Sequence, residues 1–265
     1  MGINIENLTS SDFEQRVVKP KILLWDLETS PAIVAAWGAY ESNALWVKEY
    51  PRVITFSVKY LHGKQVTKCL ADYPDHSPEN DDKALIEELY GYLETADFVI
   101  AQNGDSFDMK VAKARFLKHK LPPLPPILSV DTKKIAKREF RLFSNKLDWM
   151  GDFLGNGRKQ EHEGIGLWRK CVEANDRKAW DRMKKYCARD VRLLETTYLA
   201  MRGWDRLHPN MNVIFNREEG CAKCGSTNIH HRGYRYTPTG RQRRFQCQDC
   251  KGYSTGKHVK TSTVR

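Results

Sequence analysis

The chain is predicted to fold as an α/β protein, a mixed sheet flanked by helices, with a small metal-held module at its C-terminal end. Three observations predict this. A continuous apolar run near residue 22 reads as a buried strand, apolar strands then alternate with helix-period segments to about residue 202, and four cysteines form two CxxC pairs beyond residue 220.

The first element, Lys21-Ile22-Leu23-Leu24-Trp25-Asp26-Leu27-Glu28, is continuously apolar before its acids, which suits a central strand. Side chains repeat every second residue along a strand, so Asp26 and Glu28 point the same way. Arg52 to Tyr60 and Gln65 to Ala71 read as two further strands joined at His62-Gly63-Lys64, giving an antiparallel portion of sheet. Asp82 to Thr95, carrying Ala84, Leu85, Leu89 and Leu93, reads as a helix leading into a strand over 98–102. A glycine-containing turn and a helix start follow, Asn103-Gly104-Asp105-Ser106-Phe107-Asp108. Leu121-Pro122-Pro123-Leu124-Pro125-Pro126 must be extended, because proline lacks an amide hydrogen and restricts its predecessor. An inter-element loop is expected there, with a proline-motif docking site as the alternative. From about Asn175 to Trp204, Trp180, Met183, Cys187, Val191, Leu194 and Tyr198 recur at spacings of three or four and mark one long helix.

Acids stand at three of these elements. Asp26 and Glu28, bare on one face of a buried strand, repel each other and are costly to desolvate unless a cation or hydrogen-bond donors lie between them. Hard oxygen donors favour Mg²⁺ or Mn²⁺. The competing reading is a strand end with both acids solvated. Asp108 lies near the positive end of its helix, where a carboxylate stays ionised; Asp105 or Ser106 can cap that helix, leaving Asp108 a simple first-turn acid. Tyr186 and Asp190 are four apart and share a helix face. Taken singly, Tyr186 reads as an edge-of-core aromatic and Asp190 as a solvated partner of Arg189 or Lys185.

In order and spacing, Asp26-x-Glu28, Asn103-x-x-x-Phe107-Asp108 and Tyr186-x-x-x-Asp190 resemble the three exonuclease motifs of the DEDD superfamily, the DnaQ-like 3′-to-5′ exonucleases with an RNase H-like fold. Tyrosine in the third motif is that of the DEDDy branch. The wording is closest to proofreading domains of family-B DNA polymerases and related stand-alone predicted exonucleases. Asp131-Thr132, Ser144-Asn145-Lys146-Leu147-Asp148, Leu154-Gly155 and Lys159 resemble the stretch between the second and third motifs of that group. The likeness covers about residues 21–202, so an exonuclease domain without a polymerase palm or fingers is expected.

The resemblance implies a two-metal site in which Asp26 bridges two Mg²⁺ (or Mn²⁺), Glu28 and Asp190 complete one, and Asp108 holds the other. It implies that Tyr186 orients the attacking water, that Asn103 and Phe107 contact nucleic acid, and that nucleoside 5′-monophosphates leave a 3′ end. Single-stranded or 3′-ended DNA is the implied substrate, RNA the alternative, and a polymerase or other replication protein the implied partner. The segment Glu161 to Trp168 reads either as a loop approaching this site or as ordinary surface.

Residues 1–202 are thus expected to form the RNase H-like exonuclease domain, 203–220 a linker, and 221–265 a separate module. Within the linker, Val213-Ile214-Phe215 can pack back on the core. Cys221-x-x-Cys224 and Cys247-x-x-Cys250 are separated by 22 residues, a spacing that points to one structural, tetrahedral Zn²⁺ with every position filled. A disulfide pair is the alternative. Arg232 to Tyr236 and Arg241 to Cys247 flank Thr237-Pro238-Thr239-Gly240 as a hairpin, and the whole resembles a zinc ribbon, with a likeness to ribbons of some insertion-sequence transposases. Cys69, Cys171 and Cys187 are expected to be buried thiols.

Charge concentrates in this module. Residues 203–265 hold 12 Lys and Arg against 4 Asp and Glu, a net +8 of the chain's +11, and zinc on four thiolates lowers that to about +6. Arg241 and Arg243 alternate onto one strand face, with Arg232, Arg235, Arg244, Tyr234, Tyr236 and Tyr253 nearby, a mixture suited to phosphate contacts and base stacking. A solubilising face and a protein-docking ribbon are the alternatives. Two other functions stay open: a nucleic-acid-binding or transposase-associated module with an inert RNase H-like domain, and a structure-specific endonuclease. No apolar stretch approaches the ~18 residues of a membrane span, and Glu6, Asp12 and Glu14 stand where a signal peptide would be basic and then apolar, so a cytoplasmic protein without membrane partners is expected.

Overall fold

The computed structural model describes residues 20–38, 40, 43–73, 82–158, 163–217 and 219–260. They fall into a larger unit, Lys21–Arg206, and a smaller one built on the segment that starts at Leu207.

In the larger unit β1 (Ile22–Thr29) is followed by a hairpin of β2 (Ile33–Ala35) and β3 (Trp46–Glu49), then β4 (Val53–Tyr60), β5 (Gln65–Cys69), α1 (Lys83–Glu94), β6 (Phe98–Ala101) and α2 (Asp108–Lys118). β7 (Leu128–Asp131), α3 (Thr132–Glu139), α4 (Leu147–Phe153), α5 (Ile165–Val172) and the 25-residue α6 (Arg177–Met201) complete it. The main sheet has the order β5-β4-β1-β6-β7; the β5-β4-β1 side is antiparallel and the β1-β6-β7 side parallel. This is the expected mixed sheet flanked by helices, with β1 at its centre. Leu23, Trp25 and Leu27 join a core with Leu85 and Leu89 of α1 and Ala112 and Phe116 of α2. Each such side chain, fully buried, contributes on the order of 1.5–3 kcal/mol. Residues of opposite parity, Leu24, Asp26 and Glu28, face the side that α6 crosses, where the Cys187 thiol reaches Asp26.

Two polar ties fix the layers. The fully buried Asp82, just ahead of α1, accepts hydrogen bonds from Val53 N–H of β4 (2.7 Å) and from Arg115 Nε (3.0 Å) and meets His119 Nε2 (2.7 Å). Burial works to raise its pKa, but Arg115 and then His119 outweigh it and hold the carboxyl below its usual range. On the other face Glu195 of α6 pairs with Lys59 and accepts from His62 N–H (3.0 Å).

Several sequence expectations are corrected in detail. The strand expected over 65–71 stops at Cys69, because Asp72 accepts the Cys69 N–H (2.9 Å) and winds Leu70–Asp72 into a 3₁₀ turn. The proline run joins α2 to β7 without regular structure, as an inter-element loop. The stretch read as a linker over 203–220 divides. Trp204 packs edge-to-face on Phe140, and Asp205 and Arg206 pair with Arg138 and Glu139, which keeps them with the larger unit. From Leu207 the chain joins the smaller unit.

That unit comprises α7 (Met211–Ile214) and a sheet of β8 (Ile229–Thr237), β9 (Gly240–Cys247) and β10 (Tyr253–Lys260) in the order β10-β9-β8, all antiparallel. Asn210 caps α7, Met211 N–H donates to Ala222 O (3.0 Å), and Phe215 lies under the first cysteine turn. Gly225 is required there: its φ is +72°, and a Cβ would come within 2.3 Å of the Phe215 ring. The apolar triplet of the supposed linker therefore places Phe215 against the cysteine-bearing turn. The sequence pattern also missed β10, whose Ser, Thr, Gly and Lys lack an apolar alternation. Among the described residues, no helix is long and apolar enough to cross a membrane.

Candidate active site

Asp26 and Glu28 sit where β1 emerges from its apolar stretch, paired across to Ser57 and Thr55 of β4. Both are only partly shielded, whereas Asp190, delivered from α6, is 1% exposed. Each of the three offers a carboxylate oxygen within 4.8 Å of the others. Asp26 and Glu28 keep part of their surface in solvent, whereas Asp190 is buried and not the solvated side chain expected of it singly. Arg189 donates from Nε to Arg158 O (2.8 Å).

The fourth acid arrives from the other side. β6 pairs with β1 only as far as Leu24, and beyond that point Asp108 accepts the Leu27 N–H (3.3 Å), between Asp26 and Glu28 in sequence. Asp108 is buried as the first residue of α2. Its approach depends on the turn before it: Asn103 adopts φ +63°, and a Cβ on Gly104 would fall 2.4 Å from that of Ala101. Neither Asp105 nor Ser106 caps the helix. Phe107 holds the cap position without a side-chain bond, while Asp105 is drawn away to Lys134 (2.6 Å) and Ser129 (2.5 Å).

Tyr186 is buried one turn before Asp190, and its ring meets Trp168 edge-to-face at 6.1 Å. Trp168 Nε1 in turn donates to Thr29 O (3.1 Å) at the end of β1. Residues 161 and 162 of the segment expected as a loop lie outside the described residues, as does Lys159; Ile165 to Trp168 is helical and supports the site through Trp168. The sequence reading of this segment as a loop approaching the site found the segment but not its helical form or the contact of Trp168 with Tyr186. Cys187 places Sγ 3.6 Å from Asp26 Oδ2. Burial, then the charges of Asp26, Glu28 and Asp190, push this thiol well up, so it remains protonated.

Of the residues expected to contact nucleic acid, Asn103 is held internally: its N–H donates to Asp131 Oδ1 (2.9 Å) and its Oδ1 accepts from Lys133 Nζ (3.0 Å). Phe107 is exposed at a largely apolar groove of about 590 Å³ that runs from Thr29 past Tyr50.

The donor set fits a hard cation. Oxygens on opposite sides of one Mg²⁺ stand about 4 Å apart, twice a bond of ~2.1 Å, and the three carboxylates each bring an oxygen within 4.8 Å of the others. Three like charges at this separation need positive charge among them.

The four cysteines of the smaller unit meet a different requirement. Cys221 Sγ lies 3.5 Å from Cys250 Sγ and Cys224 Sγ 3.7 Å from Cys247 Sγ, and all four fit within 4.8 Å. A disulfide needs about 2.05 Å, whereas sulfurs around a tetrahedral Zn²⁺ with ~2.3 Å bonds stand about 3.8 Å apart. The cysteines are free thiols at zinc-like spacing. Lys223 and Asp249 N–H groups each donate to a sulfur at 3.4 Å, favouring thiolates.

The arginines beside this cluster divide between two faces. Tyr236 opposes Arg241 and Tyr234 opposes Arg243, with Arg241 stacked on Tyr234 at 4.6 Å. Arg235 opposes Gln242, Arg232 donates to Gln246, and Arg244 lies over Tyr253, all on the other face. Arg241 and Arg243 share one face, as alternation along β9 predicts, and the neighbouring arginines lie across from them; a bulge between His231 and Tyr234 sets the side that Arg232 takes.

Comparison with known proteins agrees with the architecture. The family RNase_H_2, of the RNase_H superfamily, matches residues 41–202, more than half of the chain, and the chain belongs to that family. The matched stretch contains Asp108, Tyr186 and Asp190 and begins after β1. No curated protein matches. Among 98 matching chains of solved structures is the family B DNA polymerase from the hyperthermophilic archaeon Pyrobaculum calidifontis, at 14% identity and a TM-score of 0.49. The match covers 83% of this chain and 31% of the polymerase chain.

Proposed function

We propose that this RNase H superfamily member is a metal-dependent 3′-to-5′ exonuclease that hydrolyses DNA, with RNA as the alternative substrate, to nucleoside 5′-monophosphates. The observation that carries the proposal is the convergence of Asp26, Glu28 and Asp190, with Asp108 docked on the intervening backbone. The polarity and the exonucleolytic outcome rest on the resemblance of the three motifs.

In this reading Asp26, Glu28 and Asp190 would hold one Mg²⁺ or Mn²⁺, and Asp26 with Asp108 a second. When bound, the two ions supply an acidified water and charge stabilisation for the attacking and leaving oxygens. The protein's own contribution is position. Tyr186, fixed by Trp168, orients the attacking water; a phenol ordinarily titrates near pH 10 and is a poor base at neutrality. Phe107 offers an exposed ring to the terminal bases. Cys221, Cys224, Cys247 and Cys250 would hold a structural Zn²⁺, and the basic smaller unit would tether the strand and raise the local concentration of ends.

Single strands of DNA and RNA, labelled at either end and incubated with Mg²⁺, test the proposal. A ladder shortening from the 3′ end is expected. Internal cuts would replace the reading with an endonuclease, and absence of cleavage with a binding module.

A further inference from the structure

The hairpin β2–β3, inserted between β1 and β4, exposes aromatic rings that no core uses. Trp37 is 87% exposed, Trp46 64% and Tyr50 72%, an unusual concentration for so few residues. The hairpin begins four residues past Thr29, the end of the strand that carries Asp26 and Glu28, and closes on Tyr50. Tyr50 lines the same groove as Thr29 and Phe107, the residue before Asp108. Along the chain the exposed rings thus stand between the strand that carries the carboxylates and Tyr50 at the groove. Cations flank the path: Lys48 is exposed on β3, and Lys118 lines the groove.

We propose that this hairpin is a stacking arm for the single strand that leads to the scissile phosphate. Rings interleaved with lysine suit unpaired bases on a phosphate backbone, because every base has a stacking face and the contact needs no particular sequence. A duplex would hide those faces, so the arm selects unpaired strands. The inference rests on the carboxylates acting at a strand end, and it assigns Trp37 and Trp46 to binding alone.

The test uses the full chain with Mg²⁺ and two substrates, a dinucleotide too short to reach the arm and a long oligothymidylate. Trp37→Ala/Trp46→Ala is expected to raise KM for the long strand by roughly 10- to 100-fold, the worth of stacked bases, with kcat unchanged and the dinucleotide unaffected. Trp37→Phe/Trp46→Phe should restore most of the loss. An unchanged KM for the long strand, or an equal loss on both substrates, overturns the arm. So does a wild-type dimer in sedimentation that the alanine variant dissociates without a change in KM. If the wild type cleaves neither substrate, the catalytic reading has failed separately. Anisotropy of labelled oligothymidylate then decides the arm, and equal affinity in wild type and double variant overturns it.

Discussion

The larger unit gathers carboxylates on a sheet that stands by itself, whereas the smaller unit gathers thiols that are themselves its core. β1, β4 and β6 are buried by α1, α2 and α6 whether or not Asp26, Glu28 and Asp190 hold a cation. From residue 207 onward the buried apolar side chains are Met211, Cys221 and Cys247 alone among the described residues. Both units collect groups of like charge. The first does so against the grain of a finished fold, which suits a metal that arrives for chemistry; the second has little core besides its four sulfurs, which fits the proposed structural Zn²⁺, on which its folding would then depend.

The largest expected effect breaks the second half of that comparison. Removing zinc by chelation, or by Cys247→Ser, should forfeit about 10–16 kcal/mol of binding free energy and unfold the smaller unit. All seven tryptophans lie between residues 25 and 204, so tryptophan fluorescence should still melt at its original midpoint while circular dichroism loses the β8–β10 contribution. A shift of both signals together would show that zinc supports the larger unit too.

Next comes the carboxylate side. Asp26→Ala should lower hydrolysis by at least about 10⁴-fold, roughly 5 kcal/mol of barrier. Without divalent ions the same variant should be slightly more stable than wild type, by on the order of 1 kcal/mol, because one of three repelling charges is gone. Destabilisation in that condition would mean that Asp26 is structural.

A smaller loss sharpens the claim that the larger unit has its own polar support. Asp82→Asn leaves Arg115 buried beside a weaker partner and should cost about 3–5 kcal/mol. The folded pKa of Asp82 is depressed, so its contribution is present above the unfolded value near ~3.9 and fades as pH falls through the folded one. Wild-type stability, followed by tryptophan fluorescence, should therefore drop on acidification below about pH 4, and the variant's should drop less.

Much of this was legible because it depends on period. Alternation along a strand puts Asp26 beside Glu28, a spacing of four puts Tyr186 near Asp190, and paired CxxC spacing announces four sulfurs. What stayed hidden depends on contacts across long separations. Trp168 supports Tyr186 only because it bonds Thr29, 139 residues away, and Asp82 meets Arg115 across 33. Alternation put Arg241 and Arg243 on one face, but the side taken by Arg232 depends on a bulge in β8 that no local pattern announces. Phe215 looked like a linker residue because its pocket is made by the absence of a side chain at Gly225.

Manganese binding followed by electron paramagnetic resonance tests the metal site most directly. If Asp26, Glu28, Asp108 and Asp190 hold a metal pair, two magnetically coupled Mn²⁺ ions are expected per wild-type chain, with the coupling abolished in Asp26→Ala and one ion retained at most. A single uncoupled ion in the wild type, or a coupled pair that survives Asp26→Ala, would contradict the site described above.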